Sequence, residues 1–103
     1  MIEEIANKGT KNILIFAAGF GEAGPDGKKL EEKLIGLGKK FDLNILGPNC
    51  LGFVNYSAHL NATFGSVPRA AGNIRFASQS GALATGLFDW AAATGIGFRE
   101  FVT

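Results

Sequence analysis

Ser78-Gln79-Ser80-Gly81-Ala82-Leu83-Ala84-Thr85-Gly86-Leu87 is the stretch that decides the fold of this chain. It follows the apolar run Asn73-Ile74-Arg75-Phe76-Ala77 and opens a helical pattern that runs to Gly95. An apolar run of strand length, a Ser/Gly turn and then a helix read as a strand–turn–helix unit. The first N–H groups of such a helix have no intrahelical partner and sit at the positive end of its dipole. Phosphate and carboxylate groups bind readily there. A serine ahead of a helix is also an ordinary N-cap, worth ~1 kcal/mol. The residues alone therefore leave two readings for Ser80. One is a phosphate cradle made by the N–H groups of Ser80, Gly81 and Ala82, with the Ser80 hydroxyl in support. The other is a cap.

Working outward, the helix spans Gly81 to Thr94 with Leu83, Leu87, Trp90 and Ala91 as its apolar stripe, and Gly95 is a fitting stop. Phe98-Arg99-Glu100-Phe101-Val102 begins another strand. Upstream, Asn12 to Ala18 is continuously apolar after its first residue, as in strands covered on both faces. Gly19 to Gly27 is a glycine-rich loop in which Pro25 and Asp26 suit a helix start. Leu30, Leu34, Leu37 and Phe41 then recur at the spacing of one helix face, while Glu31, Glu32, Lys33, Lys39 and Lys40 face water. Leu43-Asn44-Ile45-Leu46 completes a βαβ unit, which is right-handed by rule. Met1 to Lys8 reads as the last turns of an amphipathic helix carrying Ile2, Ile5 and Ala6, an opening expected of a sequence that once began earlier. Gly52 to Gly72 has no helical period and reads as irregular chain or short hairpin strands. Structureless loops of that length are uncommon inside a domain, so it is expected to be a crossing between two domains. The expected fold class is α/β, built of parallel-sheet βαβ units.

Bulk composition narrows the function classes. The chain has 103 residues, 47% of them hydrophobic and only 18% charged, below the usual ~25%. That shortfall points to surface covered by a partner. A net charge of +1 gives no reason to expect nucleic acid or an anionic membrane as partner. No apolar run approaches the ~18 residues of a membrane span, and the acidic start Met1-Ile2-Glu3-Glu4-Ile5 is no signal peptide. Cys50 stands alone, and no Cys/His set has metal spacing. A cytoplasmic setting fits. Nine Phe against one Trp and one Tyr is a core-type aromatic bias.

Five stretches carry a resemblance. Ile45-Leu46-Gly47-Pro48-Asn49-Cys50-Leu51-Gly52 resembles the strand-end motif of the NDP-forming acyl-CoA synthetases, the superfamily of succinyl-CoA synthetase α subunits and ADP-forming acetyl-CoA synthetases. Ser78 to Leu83 resembles its second motif, and Ala18-Gly19-Phe20-Gly21-Glu22-Ala23-Gly24 the segment upstream. Leu60-Asn61-Ala62-Thr63-Phe64 and Asp89-Trp90-Ala91-Ala92 look like the acetyl-CoA branch. Three motifs in order over nearly the whole chain are more specific than any one. The resemblance implies residues 1–51 as part of a Rossmann-like CoA-binding domain, 52–72 as the crossing and 73–103 as the start of a flavodoxin-like ligase domain. It implies exchange of an acyl-CoA, phosphate and NDP for the acid, CoA and NTP through an acyl phosphate and a phosphorylated histidine. The glycine-rich CoA loop is expected upstream of Met1 and that histidine downstream of Thr103. His59 does not match it, so the chain alone is expected to be inactive.

What the resemblance implies for individual residues follows. Ser78, Gln79, Ser80, Gly81 and Ala82 become a phosphate seat, and the cradle is favoured over the cap. Phe16, Ala17, Ala18 and Gly19, with Pro48, Asn49 and Cys50, become CoA contacts; the family often has Ser where this chain has Ala18. Strand ends in open α/β sheets are where ligands bind. Cys50 has no base beside it in sequence and reads as a structural residue of that turn. Thr85 stands where succinyl-type members carry a substrate-binding tyrosine. Glu22 reads as a solvated loop acid and Trp90 as packing. CoA or acyl-CoA is the implied substrate. NDP or NTP with Mg belongs to the full-length family and is not expected on this stretch. The implied partner is the rest of the synthetase or a β-type subunit, with self-association open. A non-catalytic module that senses CoA or acyl-CoA, such as the regulatory part of a protein lysine acetyltransferase, is the alternative.

Overall fold

A computed structural model of the chain describes residues 1–65, 67 and 71–103. It divides into two compact units, Met1–Asn49 and Cys50–Thr103.

In the first unit, helix α1 (Ile2–Asn7) precedes strand β1 (Asn12–Leu14), a single 3-10 turn (Gly21–Ala23), helix α2 (Pro25–Phe41) and strand β2 (Asn44–Leu46). β1 and β2 are parallel, with Ile13 opposite Ile45 and Leu14 opposite Leu46. The ladder extends on both sides through Asn44 N–H to the Lys11 carbonyl and Ile15 N–H to the Leu46 carbonyl. β1 is shorter than the apolar run suggested, because past Ile15 the chain leaves the ladder and turns at Gly19, whose φ is +99°. Its side chains are also only half-buried, not covered on both faces. α2 starts at Pro25, as its sequence suggested: proline takes the first helical position, where its missing N–H costs nothing. Of its expected stripe, Leu34 is buried, Leu37 and Phe41 are half-buried and Leu30 is exposed. Gly27 is obligatory on steric grounds: a Cβ there would collide with the Phe20 carbonyl, so α2 and the loop before it touch backbone to backbone.

In the second unit, strands β3 (Gly52–Asn55), β4 (Leu60–Thr63), β5 (Ala71–Ala77) and β6 (Phe98–Val102) form a sheet in the order β4-β3-β6-β5, with helix α3 (Gly81–Thr94) between β5 and β6. β5 and β6 are parallel, as expected, but β3 runs antiparallel to both β4 and β6, so the sheet is mixed. Residues 52–63 of the stretch read as a crossing are thus a hairpin belonging to this sheet. Short hairpin strands are one of the two readings of this stretch; what local sequence does not announce is the long-range pairing of β3 with β6. The remainder of that stretch includes residues 66 and 68–70, which lie outside the described residues.

The core of this unit is Val54, Ala84, Phe88, Ala91, Phe98 and Phe101, with Phe76 and Leu87 packed against it. Phe88 lies 4.5 Å from Phe101 and 5.7 Å from Phe98, ring centre to ring centre, and Phe76 meets Phe88 and Phe98 edge-on at 6.2 Å. Such ring pairs add stabilisation beyond burial. Phe88, Phe98 and Phe101 thus form a buried aromatic core, whereas Phe16 and Phe64 are exposed. α3 ends as expected, with Gly95 in the left-handed conformation. Its buried face keeps Ala91 and the half-buried Leu87 of the expected stripe but not Leu83 or Trp90. Ala84, Phe88 and Ala91 are buried, whereas Leu83 is 62% and Trp90 53% exposed. α3 is apolar nearly all round, so its sequence could not pick the face; the aromatic side of the sheet did.

Candidate functional site

Two turns lie at the carboxyl ends of parallel strands, one in each unit. In the first unit the segment after β1 and the segment after β2 are brought side by side. The Asn49 N–H donates to the Ala17 carbonyl at 3.0 Å, so Phe16–Gly19 and Pro48–Asn49 form one edge. Phe16, Ala17, Ala18 and Gly19 are all exposed there. The Gly47–Pro48 peptide is cis, and Asn49 sits at φ +54°, a conformation that asparagine tolerates better than most residues. An open groove of about 310 Å³ reaches this edge at Gly47 and Pro48 and is otherwise walled by residues including Leu34, Ile35, Leu43 and Ile45. Cys50 is half-buried in the second unit.

The loop that follows Ala18 holds a feature the sequence reading overlooked. One carboxylate oxygen of Glu22 accepts the Gly19 N–H at 2.6 Å and the Phe20 N–H at 3.3 Å. Glu31, from α2, accepts the next amide, that of Gly21, at 2.9 Å. Three consecutive main-chain donors are thus taken by two carboxylates. The Gly19 amide above all, then Glu22's own amide and that of Phe20, hold the Glu22 carboxyl below the ordinary glutamate value of 4.5. Glu22 is not simply solvated. An acid three residues after a turn glycine was the available signal.

In the second unit the turn after β5 stays on the ladder as far as Ser78, whose N–H donates to the Val102 carbonyl at 3.1 Å. Ser80 caps α3: its hydroxyl oxygen accepts the Leu83 N–H at 3.2 Å, and its carbonyl accepts the Ala84 N–H at 3.1 Å. The Ser80 N–H is itself held by the Ser78 hydroxyl at 3.0 Å. The expected cradle of three amides is therefore narrower, since one is taken within the turn. The N–H groups of Gly81 and Ala82 have no acceptor among the described residues. Cap and open amides coexist. Gln79 and Ala82 are exposed and Gly81 is half-buried. Thr85 turns its hydroxyl back onto the Gly81 carbonyl at 2.9 Å. Among the described residues no three of His, Cys, Asp and Glu gather as a metal site would need. No helix is long and apolar enough to cross a membrane, among the described residues.

A glycine-rich loop and a capped helix start stand at the carboxyl ends of parallel strands, the edge at which open α/β sheets bind their ligands. Residues 71–103 match the family described as succinyl-CoA ligase like flavodoxin domain. The chain is 44% identical, over 97% of its length, to the acetate–CoA ligase (ADP-forming) II subunit alpha of Pyrococcus furiosus, covering 22% of that protein. Its fold superimposes on the crystal structure of PH0766 from Pyrococcus horikoshii with a TM-score of 0.91 and 41% identity, over 99% of this chain and 23% of that one. It also superimposes on a dinucleotide-forming acetyl-coenzyme A synthetase 1 from Ca. Korarchaeum cryptofilum, solved with phosphate and ADP. There the TM-score is 0.89 and the identity 35%, over 99% of this chain and 22% of that one. The chain is similar over nearly its whole length to these ADP-forming acetate–CoA ligase and acetyl-coenzyme A synthetase chains, and it spans about a fifth of the length of these relatives. The relatives are ligases, and nothing in them supports the alternative of an acetyltransferase's sensing module.

Proposed function

We propose that this chain supplies a CoA-facing edge and a phosphoryl-facing turn to an ADP-forming acyl-CoA synthetase of the acetyl-CoA type. The observation that carries the reading is the match over nearly the whole chain, which runs through both turns. In this reading residues 1–51 are part of the CoA-binding domain and 73–103 open the ligase domain. Phe16, Ala17, Ala18 and Gly19 with Pro48, Asn49 and Cys50 face CoA or acyl-CoA. Small side chains along Ala17–Gly19 let a ligand approach the main chain closely. Ser78, Gln79, Ser80, Gly81 and Ala82 face the phosphoryl group in transit. The turn's contribution is electrostatic: fixed N–H donors and a helix dipole stabilise charge without reorganising. The rest of the synthetase, or a β-type subunit, completes the machinery in a cytoplasmic setting, and nucleotide with Mg binds there.

The test combines binding and turnover. Titrating the 15N-labelled chain with inorganic phosphate shifts the Gly81 and Ala82 amides, and titrating it with CoA shifts residues 16–19 and 48–50. The chain alone forms no acetyl-CoA from acetate, CoA and ATP, because its one histidine, His59, stands in the β3–β4 turn. Phosphate and CoA shifts that fall elsewhere, or robust turnover, overturn the reading.

A further inference from the structure

We infer that Glu22 and Glu31 are positioning residues: their carboxylates stand in as built-in anions on the consecutive amides of Gly19, Phe20 and Gly21, and so lock the loop and close it to phosphate. A row of adjacent N–H groups in a glycine-rich loop is the ordinary seat of a phosphate. Here each donor already has an acceptor at 2.6–3.3 Å, supplied by the chain itself. A charge-assisted bond as short as the one from Gly19 is at the strong end of its class. The lock is also sterically enforced. Gly27 has no room for a Cβ against the Phe20 carbonyl, so α2 and the loop meet backbone to backbone.

The consequence concerns ligand choice, and this part rests on the CoA reading of residues 16–19. The main-chain donors beside that edge are spoken for, so the loop rejects a phosphate and leaves the edge to an uncharged part of the ligand. Among the described residues Glu22 makes no ion pair, and what holds its carboxyl low is main-chain N–H donors. The charged groups of α2, the element packed on this loop, are Asp26 and Lys29 (paired with each other at 2.8 Å), Lys28, Glu32, Lys33, Glu31 on the Gly21 amide, and, in the last turn, Lys39 and Lys40, the latter paired with Glu3.

Two-dimensional 15N NMR of the chain between pH 7 and pH 3 tests this. The Gly19 and Phe20 amides move in one step, in register with the Glu22 side-chain carboxyl resonance. That step is lost in Glu22→Gln, and inorganic phosphate at neutral pH leaves both amides unmoved in the native chain. Glu22→Ala, with nothing left to accept, speeds hydrogen exchange at Gly19 and Phe20. The native titration needs no variant, so a poorly folded substitution does not block the test. Amides 19 and 20 that ignore the Glu22 titration, or that shift with phosphate in the native chain, overturn the inference. A CoA titration that leaves residues 16–19 unmoved removes the CoA reading alone.

Discussion

Ser80 takes part in four bonds at once: its hydroxyl accepts the Leu83 N–H, its carbonyl accepts the Ala84 N–H and the Ser78 hydroxyl, and its amide donates to the Ser78 hydroxyl. Ser80→Ala removes the first and is expected to cost about 1 kcal/mol, read as a fall in thermal midpoint; no change would mean that water replaces the cap in full. Gly27 is a harder constraint, because the atom in the way is backbone carbonyl and cannot rotate aside. Gly27→Ala is expected to cost on the order of 3 kcal/mol and to shift the resonances of residues 19–23 first. A stable variant with that loop unmoved would show that the contact is loose. Glu22 adds a pH dependence whose sign follows from its lowered carboxyl value. The native state binds that proton less readily than the unfolded chain, so the contribution is full above the ordinary value of 4.5 and fades as pH falls below it. Acid unfolding of the native chain therefore loses this component and that of Glu22→Gln does not. Ser80 was legible as a cap from composition and position. The two glutamate caps were not, because a loop acid looks the same in sequence whether it is solvated or folded back on the main chain.

At the scale of elements, α3 is the informative case. Its ends were written locally, in Ser80 and Gly95, and the structure keeps both. Its facing was not. With Asp89 as the one charged residue in fourteen, nearly every face is apolar enough to be buried. Phe98 and Phe101 on β6 decide the matter by taking Ala84, Phe88 and Ala91. Phe101→Ala is expected to cost about 3–5 kcal/mol or to abolish the folding transition. Leu83→Ser and Trp90→Ser are expected to stay within about 0.5 kcal/mol in chemical denaturation. The opposite ranking would restore the stripe read from spacing. The β3–β4 hairpin teaches the same lesson. Its strands are four residues each and turn through Tyr56–His59, with His59 at φ +51°, and their place in the sheet is fixed by β6 more than forty residues away.

At the scale of the whole molecule, the two units are unequal. Within Met1–Asn49 the only buried apolar side chain is Leu34, whereas Cys50–Thr103 buries Val54, Phe88, Phe98 and Phe101 around two alanines. Stability scales with apolar surface removed from water, so the second unit holds its backbone bonds longer. In native-state hydrogen exchange the amides of Phe98–Val102 are expected to outlast those of Ile13–Ile15 by at least tenfold, a factor set by about 1.4 kcal/mol of opening free energy. Equal protection would show that the first unit is stabilised by something other than its own core. The order of strands and helices, the α/β class, both helix starts and the family motifs were determined by sequence alone, because each depends on residues within a few positions of one another. The mixed sheet, the buried face of α3, the pairing of the Ala17 and Asn49 backbones and the carboxylates on the loop amides were decided only by tertiary structure. Each joins groups with no local period or spacing rule between them, and three-dimensional packing alone selects among the arrangements that the local pattern allows.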